Sequence, residues 1–206
     1  MRDLCGVGLV VAVSGKPGSG KTTLARSLAR ELGLRYVSMG QIFRNIALER
    51  GVSIEELSRV AERDSSIDYL IDSTAVEEAK KGCVVVDGHI AAWILRDLAH
   101  IKILTYAPLP VRAERLAKRD GKTLEDALRE IRTREESEAR RYRKYYNIDV
   151  NSLEVFDAVI NTSLLSEEEV VRVTTEIVKA IAQTKFKKEK KKIVEPGCPS
   201  GLRGRP

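Results

Sequence analysis

The residues Ser14-Gly15-Lys16-Pro17-Gly18-Ser19-Gly20-Lys21-Thr22-Thr23 have the types and spacing that phosphate chemistry needs. They satisfy G-x-x-x-x-G-K-[ST], and they follow an apolar run, Val7 to Val13, as that motif requires. The glycines at 15, 18 and 20 let the backbone curl until successive N–H groups point inward at phosphate oxygens, and a helix starting at Thr22 adds the positive end of its dipole. In such a loop Gly15 through Thr23 bind ATP, the Lys21 ammonium reaches the β- and γ-phosphates, and the Thr22 hydroxyl holds Mg²⁺.

A second signal is Asp87, at the end of the apolar run Val84-Val85-Val86. A carboxylate at a strand end beside a phosphate loop can hold a water on Mg²⁺. It is followed by Gly88, not by the Glu that many ATP-driven motors use to activate water, and the chain has no Asn-Lys-x-Asp guanine reader. Motors and GTP switches are thereby disfavoured, leaving a small kinase.

The arginines indicate the acceptor. A monophosphate is already an anion near pH 7, so it needs no general base; the difficulty is negative charge crowded between two phosphates. Arg44 can meet such an acceptor. Arg112, Arg115 and Arg119 recur at i, i+3 and i+7 on one helix face, and Arg134, Glu138 and Arg141 share another. The same spacing equally suits surface ion pairs with Glu114, Glu130 or Glu135.

The elements that must position these groups alternate. A buried strand over Leu9–Val13 leads into a helix over Thr22–Leu32; Arg35–Ser38 reads as a short strand, and Ser38 and Ser53 each open a helix with capping-box spacing. Ile67 to Lys80 is helical up to Gly82, Val84–Asp87 is a strand, Ile90–Leu95 a short helix, Ile101–Tyr106 a strand, and Pro110–Arg119 a helix begun by proline. Phe156–Asn161 is the last strand, and Ser166 caps a helix to about Gln183. Strand–helix alternation of this kind predicts a three-layer α/β fold, a parallel sheet of about five strands with helices on both faces.

One segment breaks the pattern. In Thr123–Asn147 the apolar positions Leu124, Ala127, Leu128 and Ile131 stop abruptly, and from Arg132 through Arg141 only Ala139 is apolar. A helix polar on every side has no core face, so it is expected to project into solvent or to arch over a polar ligand as a mobile lid arm over about 119–147. Tyr142, Tyr145, Tyr146 and Trp93 read as packing anchors.

Composition sets the remaining bounds. The 206 residues suffice for one domain, expected over 1–184, with an acceptor-binding segment over about 38–81. The net charge of +6 resides entirely in residues 185–206; the body is neutral, with 28 basic and 28 acidic residues. That basic tail is expected to be disordered, with at most a weak polyanion contact and no specific nucleic-acid partner. With 32% charged residues and few Asn and Gln, the composition resembles that of proteins from hot habitats. Cys5, Cys83 and Cys198 show neither pairing arithmetic nor C-x-x-C spacing, so no disulfide is expected. No run of eighteen apolar residues and no signal-peptide pattern occurs, and a cytoplasmic monomer without membrane contact is the expectation.

Over Leu9 to Ile181 the chain resembles the archaeal-type cytidylate kinases, within the nucleoside monophosphate kinase family. The phosphate loop, Ser38-Met39-Gly40-Gln41-Ile42-Phe43-Arg44, the strand ending Asp87-Gly88, Arg115 with Arg119, Arg134-Glu135-Glu136-Ser137 followed by Arg141-Tyr142, and Tyr145-Tyr146-Asn147-Ile148-Asp149 carry the likeness. It implies a P-loop kinase fold with a short helical lid, and Mg²⁺-dependent transfer of the ATP γ-phosphate to CMP or dCMP. It also implies roles: Arg44 on the acceptor phosphate, Lys21, Arg115 and Arg119 on the transferring phosphoryl group, and Arg134, Glu138 and Arg141 on the acceptor side, with Gly88 and His89 beside them. Bacterial relatives typically carry Asp at the position of Glu138 and Arg at that of His89. A neutral imidazole cannot form a bidentate phosphate clamp, so either His89 donates one hydrogen bond or a neighbouring arginine takes over. Base choice stays open between cytidylate, adenylate and broad-specificity kinases. Two further readings stand: a kinase of a small hydroxyl metabolite with Asp87 as base, and a nucleotide-gated RNA-binding protein using its tail.

Overall fold

The computed structural model describes residues 4–194, with side chains through Lys187. The strands are β1 (Val10–Gly15), β2 (Arg35–Ser38), β3 (Val84–Asp87), β4 (Ile101–Tyr106) and β5 (Ala158–Asn161). They form one sheet in the order β2-β3-β1-β4-β5, and every pair is parallel. The strands are short and their C-terminal ends align, which gathers Gly15, Ser38, Asp87, Tyr106 and Asn161 along one edge. Ligand sites of open parallel sheets lie at that edge.

Two helical layers cover the sheet because its strands are apolar on both faces. Leu9, Val11 and Val13 meet Leu24 and Leu28 of α1 (Lys21–Leu32) and Val170 and Val178 of α8 (Glu167–Val194). On the other face Val10, Ala12, Val84 and Val86 meet α2 (Met39–Glu49), α3 (Ile54–Ala61), α4 (Ser66–Lys80) and α5 (Ala91–Ile94). A third, smaller cluster joins α6 (Leu109–Asp120) to the start of α7 (Leu124–Tyr146) through Ala113, Leu116, Ala127 and Ile131. Ser53 and Glu56 complete a reciprocal capping box. At Ser38 only half of one forms: the Ser38 hydroxyl accepts the Gln41 N–H, but the Gln41 side chain turns to Asn45 and Arg44 instead.

Three expectations change. The all-polar stretch of α7 does not stand free in solvent: Arg132, Glu136 and Arg140 are exposed, but on its inner side Glu135 pairs with Arg112 beside the phosphate loop, Glu138 with His89 and Arg141 with Asp68 of α4, so ionic contacts take the place of the missing apolar face. Cys5 and Cys83 are joined in a disulfide, which ties the segment before β1 to the start of β3. An odd cysteine count does not prevent one pair when the fold brings two Cα atoms to 4.8 Å. The last helix continues to Val194, past the boundary expected at Thr184. Its extension is anchored: the Lys185 ammonium donates to the His100 carbonyl (2.6 Å) and Asp157 (2.9 Å), and the Phe186 ring packs on that of His100. The rest of the tail, 195–206, lies outside the described residues. Among the described residues no helix is long and apolar enough to cross a membrane.

Candidate active site

The phosphate loop runs from β1 into α1, and side chains from beneath and behind fix its curl. Ser19 and Thr105 hydroxyls meet at 2.8 Å, Thr105 donates to the Ser14 carbonyl, and Thr162 donates to that of Ser19. Gly18 takes φ +79°, and a Cβ there would stand 2.7 Å from the Arg112 carbonyl oxygen, so the loop needs glycine for both conformation and clearance. The Lys21 ammonium is held back over the loop, donating to the Lys16 carbonyl at 3.4 Å. Burial lowers its pKa; Asp87 and Glu138 oppose that effect, whereas Arg134 and Arg119 add to it. Lys21 therefore shares its space with both carboxylates and both guanidiniums.

Next to Lys21, the Thr22 hydroxyl donates to one oxygen of Asp87 (2.9 Å) and the Tyr36 phenol donates to the other (2.6 Å). The Asp87 carboxylate is buried at the end of β3 and thus has both oxygens engaged. Burial, then the charge and hydrogen bond of Asp87, raise the pKa of Tyr36, keeping it a donor. The sequence reading placed Asp87 and Thr22 together but missed Tyr36, which β2 sets opposite because Ser38 pairs in register with Asp87. A hydroxyl and a carboxylate are hard oxygen donors, and this pair fits Mg²⁺.

Four cations, Lys21, Arg44, Arg119 and Arg134, lie near enough for their charges to bear on one another. Arg44 on α2 is held by Gln41, and its pKa is lowered first by burial and then by Arg119 and Arg134. Asp87 and Glu138 offset part of the mutual repulsion of these cations, yet the pKa values of Lys21 and Arg44 stay lowered, and an anionic ligand would relieve the remainder. Arg119 is mostly exposed and lies bidentate on Asp120; Arg134 is bracketed on its own helix by Glu130 (3.7 Å) and Glu138 (3.6 Å).

Two other arginines are occupied elsewhere. Arg115 donates to Thr162 through its hydroxyl (2.8 Å) and carbonyl (2.6 Å) and reaches the Gly18 carbonyl at 3.5 Å, so it splints the phosphate loop to the β5–α8 connection. Arg141 is buried, and one of its nitrogens contacts both oxygens of Asp68 on α4, at 2.5 and 2.7 Å. Its Nε makes no hydrogen bond.

His89 and Glu138 form a second inward-facing pair, Nδ1 to Oε2 at 2.5 Å. Burial pushes the Glu138 carboxyl up, but His89, Arg134 and Lys21 more than offset it, bringing it down to about 2. His89 thus faces a carboxylate, and its ring stacks edge-on with Tyr142. Gly88 packs against Met39, whose sulfur would be 2.4 Å from a Cβ at that position. Behind Arg141, the Tyr146 phenol donates to Asp72, whose carboxyl burial raises to about 7. Asp68 and Asp72 escaped the sequence reading. The signal was there: carboxylates at i and i+4 beside the buried Ile67 and Ile71 of α4 cannot be a solvated face.

Comparisons with known proteins identify the family and the fold. The cytidylate kinase-like family matches residues 10–164, from β1 to just beyond β5. The chain belongs to that family. A protein of Pyrobaculum aerophilum named cytidylate kinase is 51% identical over 166 residues, covering 81% of this chain and 90% of its own. Proteins of the same name from Staphylothermus marinus and Pyrobaculum islandicum are 48% and 46% identical, each covering 88% of this chain and 99% and 98% of their own. Solved structures share the fold: a gluconokinase from Sinorhizobium meliloti (TM-score 0.61, 17% identical, 88% of this chain and 97% of its own) and a shikimate kinase from Acinetobacter baumannii (0.55, 17%, 84% and 93%). The chain is a phosphotransferase with the P-loop kinase fold. Membership of this family sets aside the non-enzymatic, RNA-binding reading.

Proposed function

We propose that this kinase transfers the γ-phosphoryl group of ATP to CMP or dCMP with Mg²⁺. The observation that carries the phosphate acceptor is the state of Asp87: with Thr22 on one oxygen and Tyr36 on the other, it is not poised to take a proton from an acceptor hydroxyl. A monophosphate needs no such base, and Lys21, Arg44, Arg119 and Arg134 supply the cationic surround that two converging phosphates require. The relatives named cytidylate kinase support the choice of base.

In this reading the loop amides and Lys21 bind the ATP phosphates, and Arg44 binds the acceptor phosphate. Arg119 and Arg134 draw charge from the transferring group as it leaves one oxygen for the other. Mg²⁺, held by Thr22 and through water by Asp87, would neutralise phosphate charge when bound, while Tyr36 fixes the carboxylate that faces it. Glu138 keeps Arg134 and His89 in place on the acceptor side. Arg115 serves the nucleotide loops by position, and Arg141 joins α7 to α4 on the acceptor side. α7 is the lid, excluding water that would otherwise take the phosphoryl group.

The test offers CMP, dCMP, UMP, AMP and GMP separately with ATP and Mg²⁺ and measures the diphosphate formed. Preferential formation of CDP and dCDP is expected. Preference for another monophosphate would replace the base assignment, and turnover of none would overturn the acceptor class.

A further inference from the structure

Two consecutive residues of α7 face different parts of the molecule. Arg134 pairs with Glu130 and Glu138, and its charge is close enough to Lys21 and Arg44 to lower the pKa of each. Glu135, about 100° further round the helix, turns to the outer face of the phosphate loop. There its two oxygens are divided: Oε1 accepts from the Arg112 guanidinium, and Oε2 lies 3.8 Å from the Lys16 ammonium. Arg112 is no surface partner. It is buried, donates to the carbonyls of Ala107 and Pro17 (each 3.0 Å), and its backbone supports Gly18. Glu135 therefore grips both the strut under the loop and a residue of the loop itself.

From this geometry we infer that Glu135 is a positioning residue, a carboxylate clasp that seats α7 on the outer face of the phosphate loop and so sets where Arg134 stands. The inference rests on the phosphoryl-transfer reading of the cleft. The apolar anchors of α7 on α6 end at Ile131, one turn short of Arg134, so they fix the base of the helix and not its azimuth beyond. Arg141 and Asp68 hold it two turns later, on α4. Between those anchors Glu138 holds His89 after β3, and Glu135 ties the helix to the phosphate loop. A carboxylate divided between two cations on two elements specifies distance and rotation together, as a single exposed ion pair does not.

The test measures kcat, KM for each nucleotide and thermal stability in Glu135→Gln, Glu135→Asp and the exposed neighbour Glu136→Gln. Glu135→Gln should lower kcat by about 10- to 100-fold, because a misplacement near 1 Å costs about that much, with both KM values within about 3-fold. Glu135→Asp should recover part of the loss, and Glu136→Gln should change nothing. In an Arg134→Ala background Glu135→Gln should have little further effect on kcat, since the clasp acts through that residue. Equal losses in both backgrounds, an unchanged kcat in Glu135→Gln, or a loss that follows a lowered melting temperature would overturn the inference. Amide hydrogen exchange over 132–141 supplies a readout independent of turnover: Glu135→Gln should speed it, and unchanged exchange would also overturn the clasp. An inactive wild-type chain would strike the phosphoryl-transfer reading instead, while the exchange measurement still decides whether Glu135 seats the helix.

Discussion

The two ends of the cleft are built differently. In the reading proposed above, the ATP end is one contiguous loop that binds through its backbone, and the hydroxyls of Ser19, Thr105 and Thr162 steady it. The end proposed for the acceptor rests on side chains some seventy residues apart in sequence, polar groups of α4 meeting polar groups of α7 in a buried network. A backbone cradle tolerates loss of one side chain without unfolding. A buried ion pair does not, because the partner left behind remains a desolvated charge. Substitutions at the first end should therefore cost activity, and those at the second should cost stability before anything else.

The sharpest way to break that contrast is Lys21→Met. It should lower kcat at least about 100-fold, the scale of losing one preorganised charge at a transferring phosphoryl group, with the melting temperature unchanged or slightly raised because a desolvated ammonium is removed. Arg141→Met probes the other end; it should destabilise by about 3–5 kcal/mol, read by denaturant titration, since it strands Asp68. If Lys21→Met unfolded the chain or Arg141→Met left its stability intact, the contrast would fail.

The disulfide lies at the far end of the sheet from either half and provides a control. Its two cysteines are 78 residues apart, and chain-entropy reasoning puts the closure of such a loop at about 4–5 kcal/mol as a ceiling. Reduction should lower the melting temperature and leave KM for ATP unchanged; a change in KM would link the clip to the site.

A smaller effect tests the electrostatics of the acceptor end. Burial raises the Asp72 carboxyl to about 7, so the folded chain holds a proton over a range where the unfolded chain has released it. That contribution is full below about pH 4 and is lost as the pH rises through 7. Asp72→Asn, neutral throughout, should gain on the wild type between about pH 4 and 7, reaching roughly 1–3 kcal/mol above pH 7. A constant difference across pH would show that the carboxyl is not desolvated in solution. Smallest should be Tyr36→Phe, which frees one oxygen of Asp87: a fall in kcat of roughly 2- to 5-fold, worth one hydrogen bond, with a weaker dependence on Mg²⁺ concentration as its signature.

The same contrast explains what was legible. The phosphate loop could be read from Ser14 to Thr23 because its geometry follows from glycine positions and the strand before it, all local. Asp87 was legible as a strand end, and Tyr36 was not, since only strand pairing brings β2 beside β3. The arginines were recognisable as a group but not individually: spacing could not tell that Arg115 would be spent on Thr162 and Arg141 on Asp68, while Arg44, Arg119 and Arg134 stayed in the cleft. The polar stretch of α7 looked unpackable because packing was judged by apolar residues alone. The helix extension past Thr184 was hidden because Lys185 looked like the first residue of a charged tail, whereas it is an anchor to His100 and Asp157.

By itself the sequence determined the order of strands and helices, the phosphate loop and the kinase class, because alternation, glycine placement and caps act over a few residues. Tertiary structure alone decided which cations face the cleft, that Cys5 meets Cys83, and that α7 is held by ion pairs with α4 and the phosphate loop. Those outcomes depend on which distant side chains desolvate one another, and a buried charge finds its partner across space, not along the chain.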